Sequence, residues 1–498
     1  MTVYLDHAAT TPVLPHVVEA IAETMRAVGN PSSLHTSGRA ARAVVEDARE
    51  RIAACLGSRP SEIVLTSGGT ESDNLAVKGT LWAAAAQDPA HRRIVASGVE
   101  HHAVLDPVTA LVEAGDAEVT WVEPGPCGLV AAQDVLAAVD EDPGSVALVT
   151  VMWANNEVGT VQDVATIAAG CRERGVRFHT DAVQAVAHLP VDLGAAGVDL
   201  AAVSAHKLGG PVGVGALHVA RDLRPMPLSH GGGQERDIRS GTLDAAGAVG
   251  LALALEHAVE HRAAESARLA ALRDRVISGA LALDLGIEVT GCWEPGDTTT
   301  RLANNAHLLV PGCSGDSLLY LLDAQGIEVS TGSACQAGVP RPSHVVLAMG
   351  YDPEVARGSL RISLGSTSTE DDVERFLAAL PIFHAYGMTT LCIFSIYLGA
   401  ELILVPSPQM PLIMDIVKKR TPTWLPGVPT LYQKIMDAAE EKDVDLSGIR
   451  NAFSGAATLP VEIVERWETM TGGRLVEGFG MTETSPVLTA NPMNGKHR

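Results

Sequence analysis

The residues best suited to chemistry surround one lysine. The run SAHKLGG, residues 204–210, follows an apolar stretch at 198–203 and precedes another at 214–219. A lysine between a strand end and a glycine-rich turn presents its amine at a crevice, where partial desolvation lowers its pKa. Such an amine can form a covalent bond with a carbonyl compound. On spacing alone, an ordinary surface lysine at position 207 stays open as the alternative.

Three other segments carry groups that complement this amine. The run SGGTESDN, residues 67–74, follows a predicted strand and opens a helix, so its amides and hydroxyls could bind a phosphate. Asp181 follows another strand and could keep a pyridine nitrogen protonated, although a helix N-cap is the alternative role. His101 could stack on a ring or transfer protons, although a single histidine is more often structural.

Parallel β-strands connected by helices position these groups. Residues 146–153 form a continuous apolar run, typical of a strand covered on both faces, and residues 163–174 have helical spacing. This order predicts an α/β fold with a mostly parallel sheet. Asn155, Asn156 and Asp181 follow strand ends, so we expect them to face one crevice.

Ten motifs in order make residues 1–380 resemble the cysteine desulfurases of the NifS/IscS type. These enzymes belong to the class V aminotransferase group of fold-type-I pyridoxal-5′-phosphate (PLP) enzymes. The motifs are YLDHAATTP, GNPSSLH, TSGGTESDNLAVKG, VEHHAVLD, ANNEVG, HTDAVQAV, SAHKLGGPVGVGAL, GGGQERDIRSGT, STGSACQAG and RGSLRISLG. The resemblance implies a large PLP-binding domain and a smaller α/β domain. The domains predicted from it are 1–14 with 257–380 as the small domain, and 15–256 as the large one.

The resemblance also implies roles for individual residues. Lys207 would bind the cofactor covalently and move the α-proton of the substrate, with His101 stacked on the ring as a second proton-transfer group. Asp181 would pair with the pyridinium nitrogen and Gln184 with the ring hydroxyl. The implied cofactor-binding set is Gly69, Thr70, Asn156, Asp181, Gln184, Ser204, His206, Lys207 and Thr242, the last reaching the phosphate of a neighbouring subunit. Asn30 and Arg361 would bind the substrate carboxylate, for which a guanidinium fork is well shaped.

Cys335 is the implied sulfur acceptor. The resemblance predicts conversion of L-cysteine to L-alanine, with a persulfide formed on Cys335 and passed to an iron–sulfur scaffold or a tRNA-thiolating enzyme. The chain has TGSAC where the group with protein acceptors has SGSAC, a single-residue departure. No metal ligand set is predicted, although Cys335 could transiently ligate an iron–sulfur cluster. A homodimer is implied by Thr242.

Residues 381–498 resemble a different family, the AMP-forming acyl-CoA ligases. The matching blocks are LPIFHAYG, GVPTLY, FSGAATLP and GFGMTET. They correspond to a middle fragment, so we expect an incomplete α/β unit without adenylating activity and with exposed apolar surface. The apolar stretch at 388–405 is predicted to be a buried helix and strand rather than a membrane span, because Gly399 and Glu401 interrupt it.

Composition limits the other possibilities. Lys and Arg number 36 against 59 Asp and Glu, a net charge of −23, which disfavours binding to nucleic acid or an anionic membrane. Seven scattered cysteines without zinc-site spacing predict reduced thiols, and the N-terminal residues lack signal-peptide features, so a cytoplasmic location is expected. A bifunctional desulfurase and ligase, a non-enzymatic scaffold and a selenocysteine lyase are the alternative functions.

Overall fold

The computed structural model of the chain describes residues 2–332, 342–380, 401, 403, 410–442, 444–454, 459–479 and 489–490. Its strands are β1 Val3–Tyr4, β2 Ile63–Thr66, β3 Arg93–Ser97, β4 Glu118–Val122, β5 Val146–Thr150, β6 Phe178–Asp181, β7 Leu200–Ser204, β8 Gly215–Val219, β9 Glu288–Val289, β10 Asn305–Leu309, β11 Ile327–Glu328, β12 Ser359–Ser363, β13 Trp424–Gly427, β14 Asn451–Ser454, β15 Arg474–Phe479 and β16 Thr489–Ala490. Its helices are α1 Pro15–Arg26, α2 Thr36–Cys55, α3 Gly69–Gln87, α4 His102–Glu113, α5 Ala132–Asp140, α6 Val164–Glu173, α7 Leu193–Ala196, α8 Ala245–Leu281, α9 Gly315–Ala324, α10 His344–Ala348, α11 Pro353–Ala356, α12 Glu370–Ala379, α13 Met410–Lys419, α14 Pro429–Lys442 and α15 Val461–Thr471.

A seven-stranded sheet organises the first large unit. Its strand order is β2-β8-β7-β6-β5-β3-β4, and all pairs are parallel except those made by β8. Alternate residues of each strand enter different cores: Leu148 packs on one face and Val149 on the other. The prediction of a mostly parallel, doubly covered sheet is confirmed. The predicted strand at 146–153 is shorter than expected, because β5 leaves the sheet after Thr150.

A second core lies under the antiparallel strands β12-β10-β9 and the parallel pair β1-β11. Val3 and Leu5, near the start of the chain, are fully buried in it. The helix predicted from residue 245 is confirmed as α8, which contributes Leu251 to the first core and Val276 to the second. Because α8 runs unbroken through residue 256, the domain boundary predicted there stays a proposal.

The C-terminal elements have a core of their own. Strands β13, β14 and β15 are parallel, and β16 pairs antiparallel with β15. Trp467 is fully buried and meets the ring of Tyr432 edge-on at 4.9 Å between centroids. This unit matches the expected partial α/β fragment. The segment predicted at 388–405 lies outside the described residues except for 401 and 403.

The prediction that the cysteines are unpaired thiols is wrong for two of them. Cys127, after β4, and Cys292, after β9, form a disulfide with 4.9 Å between their Cα atoms. They are 165 residues apart, so their spacing carried no signal of the pairing. The main-chain oxygen of Cys127 also accepts a hydrogen bond from Thr160 Oγ1 at 2.6 Å.

Among the described helices, none is long and apolar enough to cross a bilayer.

Candidate active site

A cavity of about 460 Å³ opens at the carboxyl ends of the parallel strands. The residues predicted for the site that line it are Gly69, Thr70, His101, Asn156, Asp181, Gln184, Ser204, His206, Lys207 and Arg361. They come from segments spread over nearly 300 positions of the chain, and the sheet brings them together. Asn30 and Thr242 are exposed and do not line the cavity, and Cys335 lies outside the described residues.

Lys207 ends a short 3-10 turn, Ala205–Lys207, directly after β7. Its Nζ donates to the main-chain oxygens of Ala8 and Ala9, each at 2.6 Å. Burial, reinforced by the Arg361 guanidinium, lowers the pKa of Lys207 from 10.5 to about 8. Residues 1–380 contain one other lysine, Lys78 on α3. The amine at 207 is therefore a cavity group whose neutral form is far more populated near neutral pH than that of an ordinary lysine, at about a tenth of the molecules at pH 7.

Asp181 ends β6 and lies in the same cavity. Its Oδ1 accepts a hydrogen bond from the Val183 amide at 2.8 Å, and the side-chain nitrogen of Gln184 donates to Ala8 O at 3.0 Å. Burial raises the pKa of Asp181 to about 6, while the Val183 hydrogen bond and Lys207 lower it. A buried carboxylate of this kind is stabilised by a cation beside it, as a protonated ring nitrogen would be.

The start of α3 has the geometry of an anion site. Gly68 has φ of +146°, a conformation that L side chains rarely adopt, and a Cβ on Gly69 would meet Val183 Cγ2 at 2.9 Å. Thr70, Ser204 and His206 line the cavity around this turn. Helix N-terminal amides and hydroxyls suit a phosphate. The donor set, with Lys207 and Asp181, fits the PLP that the sequence resemblance implied.

His101 is the N-cap of α4 and lies in the cavity wall. Its Nδ1 accepts a hydrogen bond from the Ala103 amide at 3.1 Å. Burial, together with the positive charge of Lys207, lowers the pKa of His101 from 6.5 to about 4. The ring is therefore neutral at neutral pH, and its proton is on Nε2 because Nδ1 acts as the acceptor.

Arg361 on β12 has a fixed orientation and a spare donor. Its Nη2 pairs with Asp6 Oδ1 at 2.8 Å, and its Nη1 donates to Asn156 O at 3.0 Å. Arg361 is 4% exposed, and its Nε has no hydrogen-bond partner among the residues that the structure describes. A guanidinium that lines a cavity and is held by Asp6 is suited to bind a carboxylate.

One sequence prediction about the cavity needs correction. Asn155 does not face it: the side chain is fully buried, donates to Val99 O at 3.0 Å and accepts from the amides of Glu157 and Val158. It shapes the loop that carries Asn156. Asn30 lies on the exposed surface, where its Oδ1 accepts a hydrogen bond from the Ser32 amide, and its role beside Arg361 stays a prediction.

Sequence reasoning did not assign a role to several polar residues at the cavity. Asp73, Glu157 and His344 line the cavity, and Asp6 orients Arg361. Asp6, Asp73 and Glu157 lie inside motifs that carried the resemblance, which was the available signal. For His344, which opens a five-residue helix, the sequence offered no comparable signal.

Comparisons with known proteins agree with this geometry. The family model described as aminotransferase class V matches residues 3–376, and that of the AMP-binding enzymes matches residues 357–498. An IscS-like cysteine desulfurase of Mycobacterium tuberculosis is 56% identical over 379 residues, which cover 76% of this chain and 95% of the relative. A solved NifS-like protein superposes with a TM-score of 0.68 at 37% identity, covering 76% of this chain and 97% of that one. A structure of SspA in complex with cysteine matches with a TM-score of 0.63 at 33% identity, covering 74% of this chain and 100% of that one. The chain therefore belongs to the class V aminotransferase family and, within it, to the IscS-like cysteine desulfurases.

Proposed function

We propose that this chain uses PLP bound at Lys207 to convert L-cysteine to L-alanine and transfers the sulfur to the thiol of Cys335. The observation that carries the proposal is the convergence of Lys207, Asp181 and Arg361 in one cavity. The similarity to a structure of SspA in complex with cysteine supports the choice of substrate.

The described residues suit separate tasks in this reaction. The guanidinium of Arg361 binds the substrate carboxylate, and the largely buried amine of Lys207 accepts and returns the α-proton. His101, neutral with its proton on Nε2, serves as a hydrogen-bond donor in the cavity wall. When bound, PLP supplies an electron sink, for which Asp181 is the counter-ion.

Sulfur transfer needs a second thiol. The overall change, L-cysteine plus a protein thiol giving L-alanine plus a protein persulfide, balances without an external oxidant. Cys335 follows Gly332, which lines the cavity, by three residues in the sequence. An acceptor protein, an iron–sulfur scaffold or a tRNA-thiolating enzyme, then takes the sulfur.

A homodimer completes the proposed enzyme. Val18, Met25, Val28 and Leu34 are 51%, 73%, 87% and 89% exposed on and just after α1. Apolar side chains concentrated in one short segment are typical of a protein interface. Thr242, exposed in the single chain, would then reach the phosphate of the second subunit.

The test is the turnover of L-cysteine by protein loaded with PLP in the presence of a thiol reductant. Wild type is expected to give equal amounts of alanine and sulfide, Lys207→Ala none, and the control Lys78→Ala wild-type amounts. Cys335→Ala is expected to lose sulfur transfer. Full sulfur transfer without Cys335 would favour a lyase, and a PLP-loaded wild type that forms no alanine would overturn the proposal.

A further inference from the structure

His344 is a cavity residue whose hydrogen bonding fixes its chemistry. It lines the same cavity as His101 and His102, and its Nε2 lies 2.9 Å from the main-chain oxygen of Glu100. A carbonyl oxygen can only accept, so Nε2 carries the proton. In the neutral ring, Nδ1 is then left with a lone pair and acts as an acceptor.

Buried groups hold the ring in this position. Ser343, 1% exposed, caps α10 by accepting from the Val346 amide at 3.2 Å, and its hydroxyl contacts the carboxylate of Glu157, which is 2% exposed. Glu100, whose carbonyl bonds the ring, is fully buried. Because each anchor is itself buried, His344 is held as part of the cavity wall rather than as a surface side chain.

The three histidines at this wall present different groups. His101 accepts at Nδ1 from the Ala103 amide and is therefore a donor at Nε2. His102 bonds Asp106 through Nδ1 at 2.9 Å on a side chain that is 36% exposed. His344 meets the His102 ring edge-on, with 5.1 Å between centroids. Of the two rings anchored by the main chain, His344 is the acceptor.

L-cysteine has one polar group left once its carboxylate and amine are bound. The carboxylate is assigned to Arg361 and the amine to the cofactor at Lys207, which leaves the thiol. We propose that Nδ1 of His344 accepts a hydrogen bond from the thiol of bound L-cysteine and thereby selects the sulfur-bearing amino acid. This inference rests on the proposed function and adds a specificity-determining residue to it.

Two substitutions of His344 separate its anchoring bond, from Nε2 to the Glu100 carbonyl, from the acceptor that its Nδ1 provides. In His344→Gln the amide nitrogen can replace Nε2 and keep the bond to the Glu100 carbonyl, but no acceptor remains at the position of Nδ1. In His344→Asn the side-chain oxygen can replace Nδ1 instead. His102→Gln is the matched control on the neighbouring ring.

The experiment uses the PLP-loaded enzyme and two ligands that differ only in sulfur. KM and kcat are measured for L-cysteine, and the Kd of L-alanine is measured by absorbance titration of the bound cofactor. We expect His344→Gln to raise the KM of L-cysteine about five- to tenfold, the loss of one hydrogen bond, with the Kd of L-alanine unchanged. His344→Asn should restore much of the loss, and His102→Gln should resemble wild type.

Three results would overturn the inference. Equal weakening of both ligands by His344→Gln would make His344 a support of the wall only, and an unchanged KM would remove it from the site. A rise in KM with His102→Gln but not with His344→Gln would assign the acceptor to His102. Failure of the proposed function is distinct, since wild type would then form no alanine from L-cysteine whatever the variants bind.

Discussion

Replacing Glu100 by glutamine should change how the stability of the cofactor-free protein depends on pH. Glu100 is fully buried, and its Oε1 accepts a hydrogen bond from the Met152 amide at 2.6 Å. Burial is the main cause that raises the pKa of Glu100 from 4.5 to about 8; the charge of nearby Asp181 also acts to raise it, while hydrogen bonds from the Met152 amide and Ser97 act to lower it. The acid therefore holds a proton when folded, and the glutamine amide reproduces that neutral form.

The direction and the size of this pH effect on stability follow from proton linkage. Between about pH 6.5 and pH 8 the folded side chain binds a proton that the unfolded one has already lost, so stability falls as the pH rises. A difference of one bound proton between the folded and unfolded states changes the free energy of unfolding by about 1.4 kcal/mol per pH unit. That difference falls to about half a proton at the folded pKa. The free energy of unfolding is therefore expected to drop by roughly 1.5 kcal/mol across this interval. Glu100→Gln has no such group, so its stability relative to wild type should improve by that amount.

The assay is urea unfolding of cofactor-free wild type and Glu100→Gln at pH 6.5, 7.25 and 8. Histidines with lowered pKa values, such as His101 at about 4, are present in both proteins, so their contribution to the pH dependence cancels in the difference. The control is Glu113→Gln at an exposed position of α4. A stability difference between wild type and Glu100→Gln that stays constant over this range would refute the buried, protonated acid.

Three other changes have distinct expected outcomes. Arg361→Lys, which loses the planar fork, should raise the KM of L-cysteine about tenfold or more, measured by alanine formation; an unchanged KM would place the carboxylate elsewhere. Arg49→Met should lower the free energy of unfolding by about 3–5 kcal/mol in urea, because it leaves Glu235, 1% exposed and bonded at 2.7 and 2.8 Å, as an unpaired buried charge. A loss below about 1 kcal/mol would contradict this. Cys127→Ser should expose Cys292 to alkylation without reductant, detected by peptide mass, whereas alkylation of Cys292 in unreduced wild type would contradict the disulfide.

Local patterns in the sequence predicted the fold well. The uninterrupted apolar run that forms β5 and the helical run that follows it established the parallel sheet, and the long alanine-rich stretch became α8. The antiparallel course of β8 was not predicted, because both directions of a buried strand have the same apolar pattern. Strand direction depends on the connection, which the spacing alone did not specify.

Motifs predicted the members of the site but not their contacts. Lys207 and Asp181 could be found because each follows the end of a predicted strand. A polar residue in that position lies at the carboxyl edge of the parallel sheet, where ligands bind. The inward turn of Asn155 could not be read from adjacent positions, since Asn155 and Asn156 have the same side chain and only the loop conformation separates them. The pairing of Asp6 with Arg361 joins residues 355 positions apart and needs the folded chain.

The central claim, that the cavity holds PLP on Lys207, can be tested by trapping the linkage. Borohydride reduction of the PLP-loaded protein, followed by protease digestion and mass spectrometry, should find the pyridoxyl mass on the peptide with Lys207. The peptide with Lys78 should be unmodified, and the visible absorbance of the bound cofactor should disappear on reduction. A pyridoxyl group on Lys78 or on a lysine of the C-terminal unit, with Lys207 unmodified, would contradict the assignment of the cavity.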